Sequence, residues 1–126
     1  MKLDPQLIRR ILMQVEDAPA GHIVHDNALI EAMGSKTPEE FQHIAQHVLI
    51  LFEEGYIDGK KQVTGHGEMH NWEIHRLKMK GHEFIRNARN DTVWKKIVSV
   101  AEAEGRSVSL SILDKLLEKG VSKLFE

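Results

Sequence analysis

The sequence predicts a mainly α-helical fold with a small β-hairpin, a winged helix-turn-helix followed by C-terminal helices. Three observations carry that prediction. The run Thr37-Pro38-Glu39-Glu40 opens a helix with a complete set of start signals, and Gly55 closes it. Directly afterwards two β-forming runs, Tyr56-Ile57 and Trp72 to Leu77, flank a glycine-, lysine- and histidine-bearing connection in "GYIDGKKQVTGHGEMHNWEIHRL". Read from the N-terminus, the order is helix, short strand, helix, helix, two-stranded hairpin, which is the winged-helix order.

At 126 residues the chain has the size of one domain that can bury its own core without staples. We read residues 1–90 as the winged-helix part and residues 91–126 as a helical extension packed on it. With no cysteine there is neither a disulfide framework nor a thiolate metal site. The N-terminal "MKLDPQLIRR" lacks the apolar core of a signal peptide, and no run approaches a membrane span. The expectation is a soluble, cytoplasmic protein without a membrane partner.

The formal net charge of -2 argues against a surface built throughout to neutralise phosphates. The charge is uneven: residues 1–55 carry nine acidic and four basic side chains, residues 56–100 five and nine, residues 101–126 five and four. Positive charge therefore begins at the hairpin.

The first helix starts at Asp4-Pro5, an acceptor side chain followed by a residue whose missing N–H costs nothing in a first turn. It runs to about Asp17, with Leu7, Ile8, Ile11, Leu12 and Val15 at helical spacing. His22-Ile23-Val24-His25 is a β-branched patch with an inward dipeptide, and Ile23-Val24 is available as a third strand. Asp26 or Asn27 then caps a brief helix that Gly34 ends. In the Thr37–Gly55 helix, Glu40 stands where a capping box needs it. Phe41, Ile44, Val48, Leu51 and Phe52 face inward, whereas Gln42, His43, Gln46 and His47 face out. After the hairpin, a helix holds Gly81, Phe84, Ile85 and Ala88. "NDT" starts another that runs to Gly105, and Ser107 to Ser109 cap a last one that Gly120 terminates.

The stretches "MKLDPQLIRRIL", "LFEEGYIDG", "RLKMKGHEFI" and "RNDTVWKKI" span nearly the whole chain. On them the chain resembles a family of small uncharacterised proteins from phages and bacterial mobile elements, which look like relatives of the YjcQ-type winged-helix proteins. The resemblance implies a winged helix followed by C-terminal helices. It brings no activity, catalytic residue or ligand with it.

Function has to be read from side chains. As a binder of double-stranded DNA, the protein would present Gln42, His43, Gln46 and His47 to base edges in the major groove, with Lys60, Lys61 and Arg76 on phosphates. Against this, Glu39 and Glu40 stand at the helix end that usually approaches DNA most closely, and no lysine or arginine lies on that helix. The alternative is a protein-interaction module, either a homodimer through the C-terminal helices around Trp94 or a modulator of a host protein. His43 and His47 have the i, i+4 spacing that can chelate zinc, but no cysteine and no His-Glu-x-x-His pattern accompanies them, so no metal is assigned. "GHG" lacks the helix and lysine of a phosphate loop, and Ser107, Ser109 and Ser111 read as cap and loop residues, so the expectation is a non-enzyme without cofactor.

Overall fold

A computed structural model of the chain describes residues 2–103 and 108–124. The elements are α1 (Pro5–Asp17), β1 (Val24–His25), α2 (Asp26–Ala32), α3 (Pro38–Glu53), β2 (Ile57–Val63), β3 (Met69–Leu77), α4 (Met79–Ala88), α5 (Asp91–Ala103) and α6 (Leu110–Leu124). The protein is thus mainly helical, with six helices and one small antiparallel sheet among the described residues. The expected stop at Gly105 and cap at Ser107 fall outside those residues.

Four helices begin on the side-chain acceptors that the sequence supplies. Asp4 Oδ1 accepts from the Leu7 N–H at 3.2 Å, Thr37 Oγ1 from Glu40 at 3.2 Å, Asn90 Oδ1 from Val93 at 3.1 Å and Ser109 Oγ from Ile112 at 3.2 Å. Each such cap contributes about 1 kcal/mol by satisfying an N–H that the helix leaves unpaired. Two local details differ from expectation. The Glu40 carboxylate accepts the N–H of Lys36 at 2.6 Å, one residue before the position a capping box uses. α2 has no side-chain cap, because Asp26 lies inside the helix and its carboxylate is occupied by the neighbouring Asn27 N–H at 2.7 Å.

The sheet has the order β1-β3-β2 and is antiparallel throughout. Its hairpin is longer than the flanking β-runs suggested: most of the Gly- and Lys-bearing connection is strand, and the turn shrinks to residues 64–68. Thr64 closes that turn, its N–H donating to the Glu68 carbonyl at 2.8 Å and its Oγ1 accepting from the Glu68 N–H at 3.1 Å. β3 has nine residues against seven in β2, and the register shifts twice, between Asp58 and Gly59 and between Lys60 and Gln62. Each shift is one extra residue on β3, a bulge. The bulges explain why the buried residues of β3, Met69, Trp72, Ile74 and Leu77, do not alternate strictly. The three-residue steps cross the bulges, and Asn71 in one of them takes a positive φ of 49°.

One apolar cluster takes residues from every helix and from both hairpin strands, with Trp94, Phe84, Ile8, Ile11, Leu12 and Leu113 among its most completely buried members. Ile44, Val48 and Leu51 are buried as expected, but Phe41 and Phe52 are only half-buried. Phe52 sits where the hairpin meets α3, its ring under Lys61, and a thin two-stranded ribbon covers less than a helix would. Ile23 is 44% exposed, so the inward dipeptide reduces to Val24, which pairs with Ile74.

Gly120 does not end α6. A Cβ there would stand 3.1 Å from Val93 Cγ1 and 3.2 Å from Ile97 Cδ1, so the glycine is where α6 crosses α5 at close range. Gly81 plays the same part in α4. Its missing Cβ leaves room for the Tyr56 carbonyl oxygen, which accepts the Lys78 N–H at 2.9 Å and closes the base of the hairpin.

Gly81→Ala should therefore cost about 1–3 kcal/mol, since backbone rather than a flexible side chain fills the space. Gly65→Ala, with open space around the position and no positive φ, should stay within about 0.5 kcal/mol. Urea denaturation of both variants checks this, and equal losses would show that the α4–hairpin approach is looser than described.

Candidate nucleic-acid interface

The polar face of α3 is real but smaller than its spacing suggests. Gln42 is exposed, the His43 side chain is 45% exposed and Gln46 is half-buried. His47, expected on the outside with them, is fully buried. Its Nε2 accepts the Asp4 N–H at 2.8 Å, and its Nδ1–H donates to the His43 carbonyl at 2.7 Å. Both ring nitrogens are used, which fixes the neutral tautomer and leaves nothing for a base edge. Burial holds the His47 imidazole below its ordinary value, with the neighbouring His43 acting in the same direction. His43 packs edge-on against this ring at 4.5 Å and lies 3.6 Å from the Asp4 carboxylate.

The basic candidates divide between two surfaces, because neighbouring strand residues point to opposite faces. The Lys61 ammonium lies 4.8 Å from the centroid of the Phe52 ring, so it belongs to the α3 side and ties the hairpin to the end of that helix. Lys60 faces away: its register partner is Glu73, on the far side of the sheet. Arg76 lies on that far side as well, 3.4 Å from Asp58. Lys61 meets the helix at Phe52, near its C-terminal end, whereas Gln42, His43 and Gln46, without His47, Lys60 or Arg76, make up the outer side of α3. Glu39 and Glu53 are exposed at its two ends.

The far face holds a group that spacing along the chain did not reveal. Glu73 takes His75 Nε2 at 2.9 Å on one oxygen and stands 3.6 Å from His25 Nδ1 with the other. The hydrogen bond from His75, and then the charges of the histidines and Lys60, hold the Glu73 carboxyl below the usual carboxylate range. Only the strand pairing brings His25 beside Glu73, so nothing short of the β1–β3 register could have predicted it. Among the described residues, no group of three metal-ligating side chains is placed to hold a metal ion.

Elsewhere, basic side chains fasten helices together. Arg9 of α1 bonds the Ala88 carbonyl at 2.9 Å and Asp91 at 2.6 Å, and lies 5.3 Å from the centroid of the Trp94 ring. That contact holds the Asp91 carboxyl below its ordinary range. Arg89 pairs with Glu16. Arg86, Lys95 and Lys96 are exposed.

The fold and site together define a small, mainly helical protein with a polar helix face and one antiparallel hairpin. The chain belongs to the DUF2513 family of hypothetical proteins, whose model matches residues 2–107 and so reaches from α1 through α5. No curated protein and no solved structure matches it. Among the described residues, no helix is long and apolar enough to cross a membrane.

His47→Ala should cost about 1–3 kcal/mol, because it strips a partly buried N–H of its acceptor, whereas His43→Ala should stay within about 0.5 kcal/mol. The His47 value is lowered on folding, so the unfolded chain takes up the proton first. Its contribution is therefore complete above about pH 6.5 and is lost as pH falls below that. Urea midpoints measured from about pH 7.5 to about pH 5 should show the gap between wild type and His47→Ala narrowing toward acid. A gap that widens would mean that His47 is held in its charged form.

Proposed function

We propose that the protein is a winged-helix DNA-binding regulator of the phage and mobile-element type, with α3 toward the major groove and the hairpin as its wing. One observation carries the reading. In the order α1-β1-α2-α3-β2-β3, Gln42 and His43 stay exposed on α3, and Lys61 ties the hairpin to the C-terminal end of that helix at Phe52. Gln42, His43 and Gln46 are the base-reading residues in this proposal, and Lys61, on the hairpin, is the phosphate contact.

The electrostatics set the strength of such binding. Sequence-independent affinity comes from neutralised phosphates, and this arrangement offers one lysine against Glu39 and Glu53. Affinity is accordingly modest and confined to low salt. The same acidic helix ends favour the second reading, a protein-interaction module. Its docking surface would include the C-terminal helices, where Val100 and Ile112 are exposed.

A fluorescence titration with duplex DNA over a range of salt separates the two readings. DNA binding predicts a saturable signal at low salt whose log–log slope flattens by about one unit in Lys61→Ala. Gln46→Ala should instead relax sequence preference, by about 1–3 kcal/mol for a lost bidentate contact. Absence of saturable binding, together with self-association by light scattering that Ile112→Asp abolishes, would replace the DNA reading with the second.

A further inference from the structure

A second concave site lies behind the hairpin, away from the α3 surface. It is a cavity of about 430 Å³ whose floor is apolar, formed by Val15, Val24 and Leu77. Four residues with nitrogen-bearing side chains line it, His22 from the segment after α1, His75 and Arg76 from β3 and His82 from the first turn of α4, together with Glu16 of α1, whose carboxylate pairs with Arg89. An apolar floor with a few convergent polar groups, in a volume of roughly 300–1,000 Å³, is the usual form of a small-ligand site.

We propose that this cavity binds a small oxyanion, a phosphate, sulfate or carboxylate group. The donor set selects the ligand class. Imidazoles and a guanidinium are hydrogen-bond donors suited to oxyanions; the Arg76 guanidinium is shared with Asp58, so His22 and His82 carry most of the recognition, and metal coordination is set aside because these side chains do not form a metal-holding group. The charged groups facing the imidazoles are Glu16 with Arg89 on the helices and Glu73, His25, Asp58 and Arg76 on the sheet. Their carboxylates are already matched: Glu16 by Arg89, Glu73 by His75 and His25, and Asp58 by Arg76. The histidine–carboxylate pairs of the described residues involve His25, His43, His70 and His75, and His22 and His82 stand outside them.

Proton uptake and anion binding are coupled in this arrangement. His75 commits Nε2 to Glu73, so its other nitrogen becomes a donor only in the imidazolium form. Anion binding is therefore stronger in mild acid than at alkaline pH.

Inorganic sulfate is the probe of choice, because its charge is constant over this range. Imidazole proton resonances of the full chain, titrated with sulfate at about pH 6, should shift saturably for His22, His75 and His82 and not for His66, which lies in the hairpin turn. At about pH 8 the apparent affinity should be lower than at about pH 6. His82→Ala and Arg76→Ala, both at exposed positions, should each weaken sulfate several-fold while melting like the wild type, and His66→Ala should leave binding unchanged. Equal shifts at His66, shifts that never saturate, or full binding by His82→Ala would overturn the site. A duplex added to the sulfate complex identifies the source of the anion: displacement assigns it to a nucleic-acid phosphodiester, and persistence assigns it to a free small molecule. Sulfate saturation does not depend on DNA binding, so failure of the α3 reading leaves this one standing.

Discussion

Tyr56 is the point on which the other parts of the structure converge. Its carbonyl oxygen accepts the Lys78 N–H, which holds together the two ends of the hairpin, and the same oxygen occupies the space that a side chain at residue 81 would need. Its hydroxyl donates to Asp114 of α6 at 2.5 Å, and its ring meets Phe84 of α4 edge-on. Burial, together with the Asp114 carboxylate, pushes the phenol well above its ordinary value, so it remains a donor over the whole physiological range. Lys80 completes the joint, lying over the ring and donating to the Glu54 carbonyl at 3.2 Å. The end of α3, the root of the hairpin, α4 and α6 thus share one residue. The direction in which the hairpin leaves α3, and with it the shape of the surface they form, follows from that joint.

Elements whose signals are local were legible in the sequence. The caps at Asp4, Thr37 and Ser109 act within a few residues of themselves, and the apolar spacing of α1 and α3 follows from helix geometry alone. What escaped depends on partners far along the chain. His47 carries the same spacing as an exposed histidine, and only the amide of Asp4, 43 residues away, turns it into a buried acceptor. Gly120 looks like a helix stop until Val93 and Ile97 are seen against it. Likewise, Lys60 and Lys61 read as one basic pair, yet strand geometry sends them to opposite sides of the sheet.

That separation changes how the positive charge of the middle segment should be understood. The excess of basic residues between 56 and 100 does not form a single patch. Arg89 ties the end of α4 to Glu16 of α1, Arg76 answers Asp58, and Lys61 rests on an aromatic ring. The histidines divide in a similar way. One is a neutral structural residue, four stand beside carboxylates, and two line a cavity without such a partner. Counting charges along the chain measures supply, whereas the fold determines how much remains for a ligand.

The sheet order leaves β2 as an outer edge, a row of unpaired backbone donors and acceptors that could recruit a strand from a neighbouring molecule. Lys60 and Lys61 lie at its centre, and the double bulge in β3 bends and twists the ribbon so that it offers no long flat register. At the opposite edge, β1 is too short to template anything. An uncovered strand edge would otherwise invite runaway edge-to-edge pairing, and here the same lysines and bulges that shape the hairpin also guard that edge.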